Sequence, residues 1–313
     1  MGYEKTTGNF MSSDGKHSIA YYVYKPEGEI KAMLQLSHGM CEYVERYEPH
    51  IRNFTQQGYL VFGNDHLGHK GSVTCKEELG YMGHENGWKH MYEDVHQLTG
   101  LMKKQYPQLP CFLMGHSMGS FIAREVIAHY GREYQGALIL GTAGTNKMAG
   151  TGLKLVAMTR LLRGEKTRSK LLTRLMFGAY NSKYESVRTE FDWITRDEAV
   201  VDAYLKDEYC MFTFTAAAYT DLMSILSDVS SDAWYDSIPM ELPMFLISGD
   251  MDPVGGWGEG MKEVDARIRQ RRPKNYRMKL YPGMRHEILN EIGKEEVYED
   301  ILNFLNENCP KEN

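Results

Sequence analysis

The amino-acid sequence predicts an α/β protein with a mostly parallel central sheet, flanking helices and an inserted helical cap. Six short apolar runs end in Gly or a polar loop, as buried strands do; they occupy residues 32–36, 59–62, 111–114, 137–140, 244–247 and 276–280. Stretches of helical period lie between most of them, such as 91–106 and 120–130. This alternation favours parallel strands covered by helices and joined by right-handed crossovers.

The first thirty residues follow a different pattern. Residues 9–12, a turn at Ser13-Asp14-Gly15 and a second run over 17–24 predict a polar hairpin. We therefore expect an antiparallel edge ahead of the parallel strands.

One long interruption separates residues 140 and 244, where only helical pieces rich in Leu, Met and aromatic residues occur. It is too long for a loop. Thr195 and Glu198 have the spacing of a capping box that opens a helix, and residues 215–226 predict another helix. We interpret 144–236 as the helical cap, inserted into a core formed by 1–143 and 237–313.

Composition excludes several classes of protein. The chain has 313 residues, with 36 Lys and Arg against 42 Asp and Glu, so its net charge of −6 argues against a nucleic-acid partner. The five cysteines are scattered without a C-x-x-C pair, which matches neither a disulfide framework nor a zinc cluster. No segment has the apolar length of a signal peptide core or a membrane span. The simplest prediction is a reduced, cytoplasmic chain.

The motif that predicts chemistry is Gly115-His116-Ser117-Met118-Gly119, directly after one predicted strand and before a predicted helix. In that context Gly-x-Ser-x-Gly forms a tight turn that presents the serine at the carboxyl edge of the sheet. Side chains at Gly115 and Gly119 would collide with the neighbouring strand and helix. Ser117 is therefore the candidate nucleophile.

A serine nucleophile needs a histidine base that is oriented by a carboxylate. Hydrolases with this elbow have the chain order Ser, acid, His, and His286 is the only histidine beyond His129. For the acid, Asp250 and Asp252 both follow the strand at 244–247. We favour Asp252, because it lies far enough beyond the strand to turn back across the sheet edge, and assign Asp250 to a turn at Gly249.

The oxyanion of a tetrahedral intermediate needs two backbone donors. The N–H of Met118, directly after the nucleophile, is one candidate. The second is the N–H of Met40, in the loop after the strand at 32–36, where Gly39 permits a close approach.

Three segments of the sequence resemble the motifs of a known family: residues 38–47 (HGMCEYVERY), 64–72 (NDHLGHKGS) and 115–119 (GHSMG). They resemble the monoacylglycerol lipase and lysophospholipase branch of the α/β-hydrolases, which includes serine aminopeptidase-like sequences. The resemblance implies the α/β-hydrolase fold, Ser117, Asp252 and His286 as the triad, and Met40 and Met118 as oxyanion donors. It also implies a monoacylglycerol, lysophospholipid or related lipid-like ester as substrate. Two departures from the family pattern put the fit of the substrate in question. Ser120 stands where the family has glycine, and Lys70 is an extra residue within the family's Gly-His-Gly.

Neither a metal nor a cofactor is expected. His66, His69, His84 and His90 are close in sequence but lack the pattern of a metal-binding helix. We interpret them as structural loop residues and assign Asp65 to a turn.

The first part of the cap is strongly basic. Residues 151–176 contain seven Lys and Arg against Glu165 alone, interleaved with apolar residues. Such amphipathic helices suit peripheral contact with anionic lipid, although a solvated helix face packed on the core is an equal alternative.

Two other functions stay open, and the oligomeric state is not determined. An aminopeptidase-type serine peptidase would need carboxylates in the cap to hold a substrate amine, with Glu185, Glu190, Asp192 and Asp202 as candidates. A non-catalytic binding protein on this fold is expected to lack a triad member, and none is missing here. Dehalogenase and epoxide hydrolase chemistry are disfavoured, because both place Asp where Ser117 stands.

Overall fold

The structure is a computed structural model that describes residues 2–145 and 149–310. Its centre is an eight-stranded sheet in the order β1-β2-β4-β3-β5-β6-β7-β8. The first two strands run antiparallel to their neighbours and the other pairs are parallel. The strands are β1 (Tyr3–Met11), β2 (Ser18–Pro26), β3 (Ala32–Ser37), β4 (Tyr59–Asn64), β5 (Cys111–His116), β6 (Gly136–Leu140), β7 (Met244–Gly249) and β8 (Tyr276–Tyr281).

All six predicted parallel strands and the antiparallel edge are confirmed. The first strand, however, begins at Tyr3, six residues earlier than predicted. Most side chains of β1 are exposed, so its polar sequence shows no alternation of apolar and polar residues. The strand depends instead on its nine-residue pairing with β2. In contrast, β3 to β7 are buried along their whole length, as expected for a parallel sheet covered on both faces.

The described residues form ten α-helices. Five belong to the core: α1 (Glu48–Gln56), α2 (Gly87–Gln105), α3 (Met118–Tyr130), α9 (Glu259–Gln270) and α10 (Lys294–Asn308). The others lie between β6 and β7: α4 (Ala149–Arg163), α5 (Lys170–Phe177), α6 (Glu198–Lys206), α7 (Ala216–Val229) and α8 (Asp232–Ser237). None of these described helices combines the length and the apolarity needed to cross a membrane.

The segment between β6 and β7 is helical, as predicted, and α7 packs against both α4 and the core helix α3. Its division at 144 and 236 stays a prediction, and residues 146–148 lie outside the described residues. The predicted capping box is wrong in detail. Asp197 caps α6 by accepting from the Ala199 N–H at 3.0 Å, whereas the Thr195 hydroxyl accepts from the Asp197 N–H at 3.1 Å. Aspartate next to the first helical residue outcompetes the more distant threonine.

Candidate active site

The predicted elbow joins β5 to α3 and places Ser117 in a strained conformation, with φ 56° and ψ −124°. The Ser117 N–H donates to the Leu140 carbonyl of β6 at 3.0 Å. A Cβ on Gly115 would lie 2.6 Å from the Ala123 Cβ, and one on Gly119 would overlap the carbonyl oxygens of Ser37 and His38. Glycine at both positions lets α3 approach the sheet, so the serine stands at the carboxyl edge.

The structure brings Asp252 and His286 together at the same edge. The His286 Nδ1–H donates to both carboxylate oxygens of Asp252, at 2.9 and 3.0 Å. Both residues are almost fully buried. Asp252 also accepts from the Ser248 hydroxyl and the Val254 N–H, each at 2.8 Å. Burial alone would raise the pKa of Asp252, but attraction to His286 and these hydrogen bonds hold the pKa below its usual value.

Asp250 has a different partner from the one predicted. Its carboxylate accepts from the Gly283 N–H at 2.7 Å, so it ties the loop after β7 to the loop after β8, instead of capping the turn at Gly249. This bond lies across the sheet edge, and therefore local turn patterns did not reveal it. Asp250 makes no hydrogen bond to His286 among the described residues.

The Nε2 atom of His286 has no hydrogen-bond partner among the described residues, and Ser117 lines the same cavity. An imidazole whose Nδ1–H is fixed by a carboxylate keeps the Nε2 lone pair available as a proton acceptor. Ser117 and His286 therefore line one cavity, and the imidazole has a ring nitrogen that no other described group occupies.

The loop after β3 lies directly beside the elbow. A Cβ on Gly39 would come within 3.0 Å of the Ser117 Cβ, so glycine permits this approach. In the part of the chain that the structure describes, neither the Met40 N–H nor the Met118 N–H donates to a protein acceptor. Both methionines line the cavity with Ser117. Two free backbone donors beside a serine can stabilise a developing oxyanion.

Comparisons with known proteins agree with this geometry. The family model of the serine aminopeptidase S33 family (Hydrolase_4) matches residues 28–293. The chain belongs to this family. The resemblance to its monoacylglycerol lipase and lysophospholipase members is confirmed, and the fold is the α/β-hydrolase fold.

Three relatives illustrate the match. A monoacylglycerol lipase of Mycolicibacterium smegmatis is 27% identical over 290 residues, which cover 92% of each chain. A phospholipase of Bacillus subtilis is 24% identical over 284 residues, covering 88% of this chain and 95% of its own. The crystal structure of a carboxyl esterase from Bacillus coagulans in complex with glycerol is 29% identical, with a TM-score of 0.91, and covers 99% of this chain and 100% of that one.

This S33 family member also contains a buried charged cluster that sequence reasoning missed, formed by Glu42, Arg46, His116 and Glu287. Arg46 makes two hydrogen bonds of 2.8 Å to Glu287 and one of 2.9 Å to Glu42. Glu42 accepts from the Gly39 N–H of the loop after β3. The cluster thus links that loop to His286, the neighbour of Glu287. Three of its members lie within the motifs that carry the resemblance, but their charges gave no sign of being buried together.

The histidines interpreted as structural separate into two groups. His66 and His69 pack with His38 behind the loop after β3, with ring centroids 4.1 to 6.3 Å apart, and all three are buried. Burial lowers the pKa of all three, to about 3 for His69. His84 and His90 instead contact Glu165 and Ser13. Asp65 ties three segments together, accepting from the Val44 N–H, the Gly71 N–H and the Tyr22 hydroxyl at 2.9 Å each.

A cavity of about 1230 Å³ lies between the elbow and the helices that follow β6. Most of its cap lining is apolar, from Leu155, Met176, Phe177, Phe191, Trp193, Phe212, Leu222, Met223 and Leu226. Charged side chains are fewer, and Lys170, Arg174 and Glu190 supply those from the cap. Met211 also lines it. The site therefore joins a polar reaction centre to a large apolar wall.

Proposed function

We propose that this serine ester hydrolase cleaves lipid-like carboxylic esters, with monoacylglycerol or lysophospholipid as the substrate class, through an acyl-enzyme intermediate. The observation that carries the proposal is the cavity of about 1230 Å³, which Ser117 lines together with an apolar wall of cap residues. An acyl chain is the kind of group that gains from burial against such a wall, at about 0.8 kcal/mol for each buried CH₂. The named activities of the lipase and phospholipase relatives support the same class.

In this mechanism the Ser117 hydroxyl attacks the ester carbonyl while His286 Nε2 accepts its proton. Asp252 holds the imidazole in the tautomer with Nδ1–H and stabilises the imidazolium that forms. The N–H groups of Met40 and Met118 donate to the oxyanion. His286 then protonates the leaving alcohol, and an acyl group remains on Ser117. Water, deprotonated by His286, attacks this acyl-enzyme and releases the fatty acid.

The aminopeptidase alternative has one observation in its favour, apart from the family's name. Of the four carboxylates considered for binding a substrate amine, Glu190 lines the cavity, whereas Glu185, Asp192 and Asp202 do not. Asp192 accepts from the Arg188 and Thr189 N–H groups, and Asp202 pairs with the Arg188 guanidinium at 2.6 Å. Glu259 and Glu263, outside the cap, also line the cavity, but the cap wall itself contributes Glu190 among mainly apolar side chains. A mainly apolar cap wall favours an ester with an acyl chain over a peptide with a free amine.

The test compares p-nitrophenyl esters of increasing acyl length, monoacylglycerols, lysophospholipids and aminoacyl amides, with Ser117→Ala as the control. We expect kcat/KM to rise with acyl length and to exceed that of every amide, and a fluorophosphonate probe to label the wild type alone. Amide turnover above ester turnover would instead support the peptidase. Absence of both turnover and labelling would point to a binding protein.

We also propose that the basic cap segment, residues 151–176, rests on anionic lipid. Five large apolar side chains of α4 and α5 are exposed by 54 to 84%: Met158, Leu161, Leu162, Leu171 and Leu175. Of the seven cations, Arg160 pairs with Glu165, and Arg168 donates to the carbonyls of Glu77 and Leu79. The other five form no ion pair within the described residues. Exposed leucines beside cations that lack an ion pair match the chemistry of an anionic membrane surface.

Vesicle co-sedimentation tests this contact. We expect binding to vesicles that contain phosphatidylglycerol, weakened by salt and by the double substitution of Leu161→Ser and Leu162→Ser. Met11→Ser, which removes an exposed apolar side chain from β1, is the matched control and is expected to bind as the wild type does. Equal sedimentation with and without vesicles at low salt would refute the proposal.

A further inference from the structure

The charged cluster lies directly behind the reaction centre. Glu42, His116 and Glu287 are each exposed by 6% or less. His116 precedes Ser117 in the chain, and its ring lies 4.7 Å from the ring of His286, centroid to centroid. Its protonation state therefore acts on the base at short range and with little screening by solvent.

Hydrogen-bond geometry assigns a proton to the Nδ1 atom of His116. The Tyr47 oxygen lies 2.7 Å from the Glu42 carboxylate, which is charged and only accepts, so the Tyr47 hydroxyl must donate to Glu42. The same Tyr47 oxygen lies 2.9 Å from Nδ1, and the Glu42 oxygen lies 3.3 Å from it. Because the single phenolic proton is already used, Nδ1 must be the donor in this contact.

The other ring nitrogen also faces an acceptor. Nε2 lies 3.4 Å from the backbone carbonyl oxygen of His286, and a carbonyl oxygen cannot donate. Both nitrogens of His116 therefore carry protons, which is the imidazolium form.

The charge balance of the cluster leads to the same form. Two carboxylates and the Arg46 guanidinium leave one negative charge buried, and an imidazolium at His116 makes the cluster neutral. Burial alone would lower the pKa of His116, but the hydrogen bond and attraction to Glu42 outweigh it and raise the pKa above its usual value. The pKa of Glu42 is held low by His116 and Arg46 despite its burial.

We propose that His116 is a fixed imidazolium that balances the negative charge behind His286 and orients the loop of His286, and is thus a positioning residue for the reaction. The inference of a catalytic effect rests on the proposed function of His286 as the base. Without the His116 cation, the cluster would leave one uncompensated negative charge beside His286. The hydrogen bond to the His286 carbonyl holds the backbone of the same loop.

The other titratable groups around His116 do not supply this charge. Tyr47 stays a neutral phenol, because burial and Glu42 raise its pKa well above the usual value. His50, which lines a small cavity with His116, is neutral, because burial and Arg46 lower its pKa to about 3. Arg46 and Glu287 form their own bidentate pair. Asp252 faces the Nδ1 side of His286.

The direct test is the nitrogen-15 NMR spectrum of the histidine side chains in the wild-type protein from pH 5 to 8.5. We expect one histidine with both nitrogens protonated throughout, and its signals absent from His116→Gln. A His116 that titrates or shows a single neutral tautomer would overturn the proposal. This measurement needs no turnover, so it separates failure of the inference from failure of the proposed function.

The second test is the pH profile of kcat/KM for a soluble ester. We expect His116→Gln to move the acid limb upward by about one pH unit, because the uncompensated negative charge favours protonated His286. Adding Glu42→Gln neutralises the cluster again and is expected to return the limb toward wild type. His50→Gln is the matched buried control and is expected to leave the limb in place. A purely structural role would lower the rate without moving the limb, and that result would overturn the positioning role.

Discussion

Exchange of Asp252 for asparagine tests the assignment of the acid most sharply, because the change preserves shape and removes only charge and one acceptor. One carboxylate oxygen accepts from the Val254 N–H and the other from the Ser248 hydroxyl, each at 2.8 Å. In the Asp252→Asn variant the amide oxygen that keeps the Val254 bond still lies 2.9 Å from His286 Nδ1, but an NH₂ group replaces the second acceptor, 3.0 Å from the same atom. The charge that stabilises the imidazolium is lost, and the amide N–H favours the tautomer that accepts at Nδ1 and carries its proton on Nε2, where it cannot accept from Ser117.

The expected loss in kcat is about 10⁴-fold, the size of effect known for the same exchange in a serine protease triad. It corresponds to about 5 kcal/mol of transition-state stabilisation. Substrate binding is expected to change little, because Asp252 is fully buried and, among the described residues, its side chain forms hydrogen bonds with His286, Ser248 and Val254. The loss is therefore expected in kcat, with KM nearly constant.

The assay is steady-state hydrolysis of a p-nitrophenyl ester at pH 8, with Asp250→Asn as the matched control. Asp250 accepts from the Gly283 N–H at 2.7 Å but does not contact the imidazole, so its exchange is expected to reduce kcat by less than about tenfold. Circular dichroism and urea unfolding check that both variants fold. A folded Asp252→Asn enzyme within tenfold of the wild type, or an equal loss in both variants, would refute the assignment.

Two further predictions concern stability, measured by urea unfolding. Gly119→Ala is expected to lower the free energy of unfolding by about 3 kcal/mol, because the added Cβ would overlap backbone carbonyls. The control is Gly100→Ala in α2, where the added Cβ meets open space, and it is expected to raise the free energy of unfolding by about 0.5–1 kcal/mol. Equal effects of the two substitutions would contradict the packing described at the elbow. Burial beside Asp228 raises the pKa of Glu125 to about 8. The folded state therefore retains a proton that the unfolded chain releases near pH 4.5. As a result, the free energy of unfolding falls as the pH rises between these two values. Glu125→Gln is expected to remove about 2–3 kcal/mol of this decline between pH 5.5 and 8, and an unchanged slope would argue against the buried carboxyl.

The strand and helix pattern was predictable because it depends on neighbours a few residues apart. Buried parallel strands require continuous apolar runs, and the elbow requires glycines at fixed spacing around Ser117. The edge strand β1 was only partly predicted, because an exposed strand has no apolar signature before its partner is known. Thr195 illustrates a similar limit: two residues had the chemistry of a cap, and the backbone conformation of the chain selected Asp197.

The sequence by itself determined the α/β alternation, the helical interruption and the position of the elbow, and it favoured His286 by chain order. Only the tertiary structure decided which aspartate meets that histidine and which cap carboxylate reaches the cavity. It also brought Arg46 to Glu287, 241 positions away, and put His116 between Glu42 and the loop of His286. The physical reason is that sterics and hydrophobic periodicity act locally. In contrast, the pairing of buried charges depends on where distant loops meet at the edge of the sheet.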